Sequence, residues 1–380
     1  MRFTEYLRMK GFAVWSMLRL GWHVLFMTTA ISLALVLMLH HETHGEGAVN
    51  LCPELQVESV RIVVNDGAHN AFTDLCRFKG RFYLTFRSCP EGHMVFSSSR
   101  IRIMTSEDAQ SWSEVYSFHV EDRDVRDPHF LCFRDRLFVY TGTWLCDPAR
   151  PGHRELNEHL GYGVCSEDGQ AWEGPRLLEG TYGHYIWRAA CFGDRAYLCG
   201  RRKKAFAHGG GPGEEAKQLI QSVMLESVDG WIWKTAAFFT EEYGDETAFL
   251  FDQDGCLQAV VRGPGSEAAQ FCASKPPYQE WERSSLGRYI GGPLLVKWGS
   301  HHLVGGRKLV PGKGPVTALY WLVDRSLVEA AELPSGGDTS YPGFVALDEH
   351  SALLSYYSSH EGSGSGEPPS AIYLAELRKK

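Results

Sequence analysis

Beyond about residue 60, the apolar residues come in short runs separated by Gly, Asp, Pro and charged residues, and no run keeps a helical period. The runs are rich in β-branched and aromatic residues, which is typical of β-strands. An apolar strand, a tight turn and a second apolar strand recur six times, with starts 46 to 61 residues apart. The hairpins begin near Asp74, Asp127, Arg188, Glu246, Gly292 and Tyr341. This period predicts an all-β fold, a six-bladed β-propeller of four-stranded blades over residues 59–380.

The propeller geometry matters for function. A propeller places the first strand of every blade around one axis, so polar residues at equivalent strand ends converge on one site although the sequence separates them widely. We expect the final strand, residues 371–377, to close the ring beside residues 57–64. The basic run Arg201–Lys204, followed by a Gly-rich segment, predicts an exposed loop between blades.

The first 40 residues follow a different pattern. Residues 21–39 contain no charged side chain apart from the titratable His23, and a membrane-spanning helix needs about 20 apolar residues. Basic residues precede the run and acidic residues follow it: Arg2, Arg8, Lys10 and Arg19, then Glu42 and Glu46. The positive-inside rule predicts a cytoplasmic tail at 1–20, a transmembrane signal anchor at 21–39 and a stalk at 40–58.

This arrangement is that of a single-pass type II membrane protein. The lipid bilayer is then a partner, and the propeller lies in the secretory-pathway lumen or outside the cell. A cleaved signal peptide, which would give a secreted protein, is the alternative, but no small-residue cleavage site ends the apolar run, and the run exceeds the usual ~7–15 residues. A buried helix of the soluble domain is a third interpretation.

Composition limits the partners and cofactors. The 380 residues are 44% hydrophobic and carry a net charge of −8 without a long basic run, so nucleic acid is not an expected partner. The ten cysteines include no C-x-x-C or Cys/His ligand spacing, and we expect no metal and no cofactor. Cys76, Cys132 and Cys191 occupy equivalent strand positions in three blades, which predicts that they are too far apart to bridge and remain buried free thiols.

A second repeated motif lies between the hairpins. The frame S-x-D-x-x-x-W occurs three times at intervals of 60 and 61 residues. Its members are Ser106, Asp108 and Trp112; Ser166, Asp168 and Trp172; and Ser227, Asp229 and Trp233. Asp and Ser side chains can bind the backbone N–H groups of a turn while Trp packs beneath it. The motif resembles the Asp-box (BNR repeat) of the sialidase (neuraminidase) superfamily, whose catalytic domain is a six-bladed propeller, and the resemblance covers residues 60–377.

The resemblance implies an exo-glycosidase that binds the sugar carboxylate through three arginines and uses a Tyr nucleophile, a Glu base and an Asp acid. The chemistry explains these types: a neutral phenol avoids repulsion from the substrate carboxylate, and planar guanidinium groups bind it with two hydrogen bonds. The matching residues here are Tyr341 as nucleophile, Glu246 as base, Arg262 and Arg307 on the carboxylate, and Glu361 where the family keeps the Glu that orients its first Arg.

Two expected residues have no match by motif. The segment Gly67–Asp74 contains no first Arg, and the loop before the first Asp-box contains no acid/base Asp. Asp127 and Asp74 are the candidate acids, and Glu91 and His93 are nearby substitutes. The candidates for the remaining contacts to the substrate are Arg87, Arg126, Arg188, His69, Asn70, Tyr357 and His360.

Three functions follow. The first hypothesis is a retaining sialidase-like hydrolase that removes terminal acidic sugars from glycoconjugates. A propeller that lost catalysis and binds glycans is the second, and a glycosidase of the same fold for a different sugar is the third. Each takes a glycan as substrate or ligand, and turnover of aryl glycosides distinguishes among them.

Overall fold

The structure is a computed structural model that describes residues 52–150, 152–208, 214–362 and 367–380. These residues form 24 strands arranged in six four-stranded antiparallel sheets, as the repeat predicted. Helix is limited to single turns at Leu156–Glu158, Lys204–Phe206 and Glu214–Gln218 within the described part. The fold is an all-β, six-bladed propeller.

The strands of the first three blades run outwards from the axis in chain order. Blade 1 contains β2 (His69–Phe78), β3 (Arg81–Cys89), β4 (Arg100–Ser106) and β5 (Ser113–Phe118). Blade 2 contains β6 (Arg123–Phe133), β7 (Arg136–Leu145), β8 (Leu160–Ser166) and β9 (Glu173–Leu177). Blade 3 contains β10 (Tyr185–Phe192), β11 (Arg195–Lys203), β12 (Ile220–Ser227) and β13 (Lys234–Thr240).

The remaining blades include the closure of the ring. Blade 4 contains β14 (Thr247–Phe251), β15 (Leu257–Val261), β16 (Gln270–Ser274) and β17 (Trp281–Ser285). Blade 5 contains β18 (Gly291–Trp298), β19 (His301–Val310), β20 (Gly314–Val323) and β21 (Ser326–Glu332). Blade 6 contains β22 (Thr339–Ala346), β23 (Ser351–Ser358), β24 (Ala371–Lys379) and, as its outer strand, β1 (Leu55–Val64).

Blade 6 joins the two ends of the domain. β1 pairs antiparallel with β24, with Val57 opposite Leu377 and Val64 opposite Ile372, so the predicted closure is confirmed. β1 already begins at Leu55, inside the segment 40–58 predicted as a stalk. The predicted tail at 1–20 and anchor at 21–39 lie outside the described residues. No helix within the described ranges is long and apolar enough to span a membrane.

The innermost strands bulge at one shared position. In five blades the pairing register shifts there, and Phe72, Asp127, Gly292 and Tyr341 adopt positive φ between 53° and 60°. A β-bulge re-aims a side chain and releases the backbone from the ladder. Pro therefore follows three of these residues without breaking the sheet.

The bulges turn side chains towards the propeller axis. The ring of Tyr341 in blade 6 lies 4.8 Å from that of Phe72 in blade 1 and 5.1 Å from that of Trp187 in blade 3, centroid to centroid. Blades 3 and 6 face each other across a six-bladed ring, so these side chains meet at the axis. Repeat position alone therefore brings together residues that are 154 and 269 positions apart in sequence.

The S-x-D frames form three matching turns between the third and fourth strands of blades 1 to 3. In each turn one oxygen of Asp108, Asp168 or Asp229 accepts two backbone N–H groups at 2.7–2.9 Å and the hydroxyl of the Ser two residues earlier at 2.9–3.1 Å. By strand direction these turns lie at the end of the propeller where the first strands finish. They therefore stabilise the blades at that end, and Tyr341 lies at the opposite end.

The cysteines correct one expectation from the sequence. All ten are free thiols, but Cys132 and Cys191 are exposed. The interaction with the Cys76 thiol lowers the pKa of Cys132, whereas burial raises the pKa of Cys76. Cys76, Cys132 and Cys191 are free thiols, but the expectation that they are buried was wrong for Cys132 and Cys191.

Candidate active site

Tyr341 and Glu246 form the centre of the candidate site. The Tyr341 hydroxyl donates a 2.7 Å hydrogen bond to Oε1 of Glu246. The other oxygen of Glu246 accepts Nη1 of Arg262 at 2.8 Å and the backbone N–H of Gly292 at 3.0 Å. Burial alone would raise the pKa of Glu246, but the positive charges of Arg262 and Arg201 and these hydrogen bonds lower it below its usual value. Glu246 is therefore an ionised carboxylate bound to a phenol.

Local backbone geometry creates this contact. Glu246 immediately precedes β14 and Arg262 follows β15, and the Arg262 N–H donates to the Glu246 carbonyl at 2.9 Å. A Cβ on Gly292 would lie 2.5 Å from the Tyr341 ring, and φ there is +58°. Only glycine satisfies both conditions, so Gly292 lets the Tyr341 ring approach the Glu246 carboxylate.

The environment keeps Tyr341 neutral. Burial and the negative charge of Glu246 raise the pKa of Tyr341 well above its ordinary value, although Arg262 and Arg307 act in the opposite direction. The guanidinium carbon of Arg307 lies 5.6 Å from the centroid of the Tyr341 ring. A phenol held against a carboxylate and flanked by cations can transfer its proton to Glu246 as it attacks an electrophile.

Asp127 is a second buried carboxyl group near this pair. Its side chain occupies the bulge of blade 2, and Oδ1 is buried with no hydrogen-bond partner among the described residues. Burial and the charge of Glu246 raise the pKa of Asp127 well above its ordinary value, against the lowering effect of Arg126 and Arg201. Two neighbouring carboxyl groups with opposite pKa shifts are the usual arrangement of a base and an acid.

Arg307 is bound to a carboxylate that the sequence argument did not include. Its Nη2 donates at 3.1 Å both to Asp338 Oδ1 and to the Tyr357 hydroxyl, which itself donates to Asp338 Oδ1 at 2.7 Å. The other oxygen of Asp338 contacts His69 Nε2 at 2.9 Å and His93 Nδ1 at 2.7 Å. Burial alone would raise the pKa of Asp338, but these histidines and Arg307 hold it well below its usual value.

His69, His93 and Asp338 have the side-chain types of a metal site, with ligand atoms within 4.8 Å of one another. Their surroundings do not fit a cation. A metal-bound histidine normally donates its other N–H to an acceptor, whereas Nδ1 of His69 faces Nη1 of Arg87, a donor, at 3.4 Å. Nδ1 must accept there, so Nε2 carries the hydrogen and donates it to Asp338. The three side chains therefore form a hydrogen-bonded cluster and not a metal site.

Arg87 and Asn70, two candidates for binding substrate, lie below the surface. Both side chains are fully buried. Arg87 donates to Asp124 at 2.8 and 3.0 Å and to the carbonyl oxygens of Gly92 and Met94. Asn70 donates to Asp66 at 2.8 Å. The donors of Arg87 are bound within the protein, and burial keeps both side chains, including the unpartnered Oδ1 of Asn70, away from a ligand.

Asp74 and Arg188 belong to a different part of the axis. Nη1 of Arg188 donates to Asp74 Oδ1 at 3.2 Å, and its other nitrogens donate to the carbonyl oxygens of Pro293 and Pro342. Oδ2 of Asp74 accepts the Phe130 N–H at 2.9 Å. The pair therefore ties the inner strands of five blades together, and both oxygens of Asp74 are occupied.

His360 and Glu361 lie after β23 at the edge of blade 6. Nδ1 of His360 contacts the Ser358 hydroxyl at 2.8 Å, and its ring lies 5.3 Å from that of Tyr373. Glu361 is exposed, and its ion-pair contact within the described chain is with His360 at 4.0 Å. Neither residue touches Tyr341, Glu246 or the arginines around them.

Three Asp residues and one Arg were missed, and a shared pattern could have revealed them. Asp124, Asp245 and Asp338 each lie just before or at the start of the first strand of an even-numbered blade. Each binds the Arg near the end of the second strand of the preceding blade, in the pairs Arg87–Asp124, Arg201–Asp245 and Arg307–Asp338. These three pairs join blades 1 and 2, 3 and 4, and 5 and 6 at the site end.

Arg201 corrects the loop prediction for 201–204. Arg201–Lys203 form the end of β11, and the Arg201 guanidinium lies 5.0 Å from the centroid of the Tyr185 ring. Aligning this strand with β19, which contains Arg307, would have placed Arg201 at the site. The basic run and the Gly-rich segment after it concealed that equivalence.

Comparison with solved structures agrees with this architecture. No protein-family model and no curated protein matches the sequence. A protein of unknown function from Dyadobacter fermentans superposes with a TM-score of 0.70 at 19% identity, over 87% of this chain and 100% of that chain. Trypanosoma rangeli sialidase in complex with sialic acid superposes with a TM-score of 0.61 at 12% identity, over 86% of this chain and 59% of that one. The fold is that of the sialidases.

Other sialidase-like propellers are similar to a comparable degree. The phage phi92 endosialidase superposes with a TM-score of 0.62 at 10% identity, covering 85% of this chain and 69% of the phage chain. A Hadza microbial sialidase gives 0.61 at 12% identity, with coverage of 82% and 66%. At these identities the likeness establishes the fold alone, so activity must be argued from the site.

Proposed function

We propose that this sialidase-like propeller is a retaining exo-glycoside hydrolase that removes terminal acidic sugars, with sialic acid as the first candidate, from glycoconjugates. The observation that carries the proposal is the 2.7 Å hydrogen bond from Tyr341 to Glu246, whose second oxygen binds Arg262. A structural tyrosine has no need of a buried, ionised carboxylate on its hydroxyl. A tyrosine nucleophile does, because attack must release the phenolic proton.

Each bond change in the proposed reaction can be assigned to one of these residues. The Tyr341 oxygen bonds to the anomeric carbon, its proton passes to Glu246, and the bond to the leaving oxygen breaks as Asp127 protonates that oxygen. In the second step Asp127, now ionised, takes a proton from water, and the water oxygen displaces Tyr341. Glu246 returns the proton to the phenolate. Two displacements at one carbon retain its configuration.

The arginines at the site provide contacts for a carboxylate. One terminal nitrogen on each of Arg126, Arg262 and Arg307 makes no hydrogen bond to another described residue. Their side chains are 8%, 19% and 16% exposed, which lets a ligand reach them while water is largely excluded. Low solvent access strengthens a guanidinium–carboxylate contact.

A glycosidase for a different sugar is the second candidate. It is favoured by the Asp338 carboxylate, which already binds Arg307 and so fills part of the place that a substrate carboxylate would take. The non-catalytic glycan-binding propeller is the third, and it predicts no turnover.

An assay against aryl glycosides of sialic acid, uronic acids and neutral sugars tests the proposal. We expect turnover of the sialoside, with Arg262→Lys raising KM at least about tenfold because an ammonium group cannot bind a carboxylate through two parallel hydrogen bonds. Arg283→Lys, on the outer strand β17 of the same blade, is the matched control and should leave KM unchanged. Turnover of other sugars only would support the second candidate, and no turnover would support the third.

We also propose that the chain is a type II membrane protein, on the strength of the uncharged run at 21–39 and the basic residues before it. In sealed microsomal vesicles that contain the full chain, added protease should spare the propeller, and detergent should make it accessible. Cleavage of the propeller without detergent would contradict this orientation. A shorter product that begins after residue 39 would support the cleaved signal peptide.

A further inference from the structure

The loop that follows β3 is fixed in place by two buried arginines. Arg87 donates to the carbonyl oxygens of Gly92 and Met94 at 2.9 and 3.0 Å, and Arg126 donates to those of His93 and Met94. Both guanidinium groups also bind Asp124. Irregular backbone on a surface rarely receives this many charge-assisted hydrogen bonds, so the position of His93 at its centre is set with unusual rigidity.

The side chain of His93 is oriented from the other side of the site. Nδ1 contacts Asp338 Oδ2 at 2.7 Å, and the ring packs edge-on against Phe72 at 5.5 Å. Nε2 has no hydrogen-bond partner within the described residues, and the side chain is 34% exposed. Phe72 in turn packs against Tyr341, so His93 borders the site on the side of blade 1.

His93 and Arg307 share one carboxylate. Arg307 binds Oδ1 of Asp338 and His93 binds Oδ2, which holds the two basic groups side by side. This is the region in which the sequence lacks the first arginine of the sialidase pattern. An imidazole with one nitrogen fixed on Asp338 offers its other nitrogen to a ligand as an acceptor when neutral and as a donor when protonated.

The groups around His93 leave room for an anionic ligand. Arg126 donates to the His93 carbonyl oxygen, and Arg307 shares the Asp338 carboxylate with the His93 ring. His69 contacts the same oxygen of Asp338, and Glu91 on the same loop is bound to Ser98. Both nearby carboxylates are therefore occupied, and a carboxylate from the substrate would meet the unpartnered Nε2 of His93.

We propose, on the basis of the proposed function, that His93, oriented by Asp338, makes a further contact to the substrate carboxylate beside Arg307. Because Nδ1 already donates to Asp338, a hydrogen bond from Nε2 to a carboxylate uses the imidazolium form of the ring. The contact lies on the side of blade 1, where the sequence has no first arginine, and it adds to those of the arginines at the site.

Calorimetric binding of the sialidase inhibitor DANA tests this inference. His93→Gln should weaken DANA binding by about 10- to 100-fold, because glutamine keeps a hydrogen-bond donor but carries no positive charge. The same substitution should leave unchanged the binding of a DANA analogue in which a neutral hydroxymethyl group replaces the carboxylate. His302→Gln, in β19 and distant from Arg307 on the same strand, is the matched control and should behave as wild type.

The outcomes separate this inference from the proposed function. If wild-type protein binds DANA and His93→Gln binds it equally tightly, His93 is not the contact, while the proposed function stands. If wild-type protein binds no carboxylated sugar at any pH, the proposed function fails in its choice of substrate, and the inference fails with it. Thermal melting of each variant checks that a loss of binding is not a loss of folding.

Discussion

Replacing Tyr341 with phenylalanine should lower kcat for an aryl sialoside by at least about 10³-fold while KM changes little. The substitution removes only the phenolic oxygen, and the ring keeps its packing against Phe72 and Trp187. Substrate binding through Arg262 and Arg307 therefore remains, but no atom is left to attack the anomeric carbon. Steady-state kinetics on purified protein measure both constants.

Tyr357→Phe is the matched control for this experiment. Its ring lies 5.9 Å from that of Tyr341, and its hydroxyl binds Asp338 and Arg307 but not Glu246. Loss of one such hydrogen bond should reduce kcat/KM by about tenfold. Equal losses in the two variants would mean that Tyr341 helps to position its neighbours and is not the nucleophile.

The sequence was sufficient for the fold and for the centre of the site, for one physical reason. A propeller converts repeat position into spatial position, so the hairpins that begin at Glu246 and Tyr341 could be assigned to one axis without a structure. The pairing of Arg262 with Glu246 follows from the same logic, because the two residues bracket a single hairpin.

The contacts between blades could not be obtained in this way. Whether Arg87 faces solvent or binds Asp124 depends on how two neighbouring sheets pack, which the pattern within one blade does not encode. Asp74 lies at a repeat position close to that of Asp127, but its carboxylate turns to Arg188. The sequence thus identified candidates of the right chemical type, and the packing determined which ones have free atoms.

The three Arg–Asp pairs also explain why the number of arginines near the site exceeds the number that are free to bind a ligand. Arg87 is bound by Asp124, and Arg201 and Arg307 by Asp245 and Asp338. Each pair joins two blades at the end where ligand would bind, so these arginines stabilise the ring as well as charging the site. The nitrogens of Arg87 all contact other residues of the protein, whereas one terminal nitrogen of Arg307 makes no hydrogen bond to a described residue.

The Asp127→Asn variant should distinguish the role of the acid in catalysis from that of the nucleophile. Proton donation matters most when the leaving group is a poor one, so we expect kcat/KM to fall by about 10²- to 10⁴-fold for an alkyl or sugar leaving group and much less for an activated aryl leaving group. The alkaline limb of the pH–rate profile should also disappear, because it reports deprotonation of Asp127, whose pKa is raised in the folded protein. Equal losses with both leaving groups would contradict the assignment.

The same substitution should stabilise the protein at neutral pH, because proton binding by Asp127 is linked to folding. An Asp whose pKa is raised by folding binds its proton more tightly in the folded state than in the unfolded state, where its value is about 3.9. Folding is therefore penalised increasingly as pH rises from about 4 towards the folded value, and asparagine carries no such penalty. Thermal melting should show the Asp127→Asn variant equal to wild type at pH 4 and more stable at pH 7. A destabilised variant at pH 7 would mean that Asp127 is ionised and paired, which would make it unable to serve as the acid.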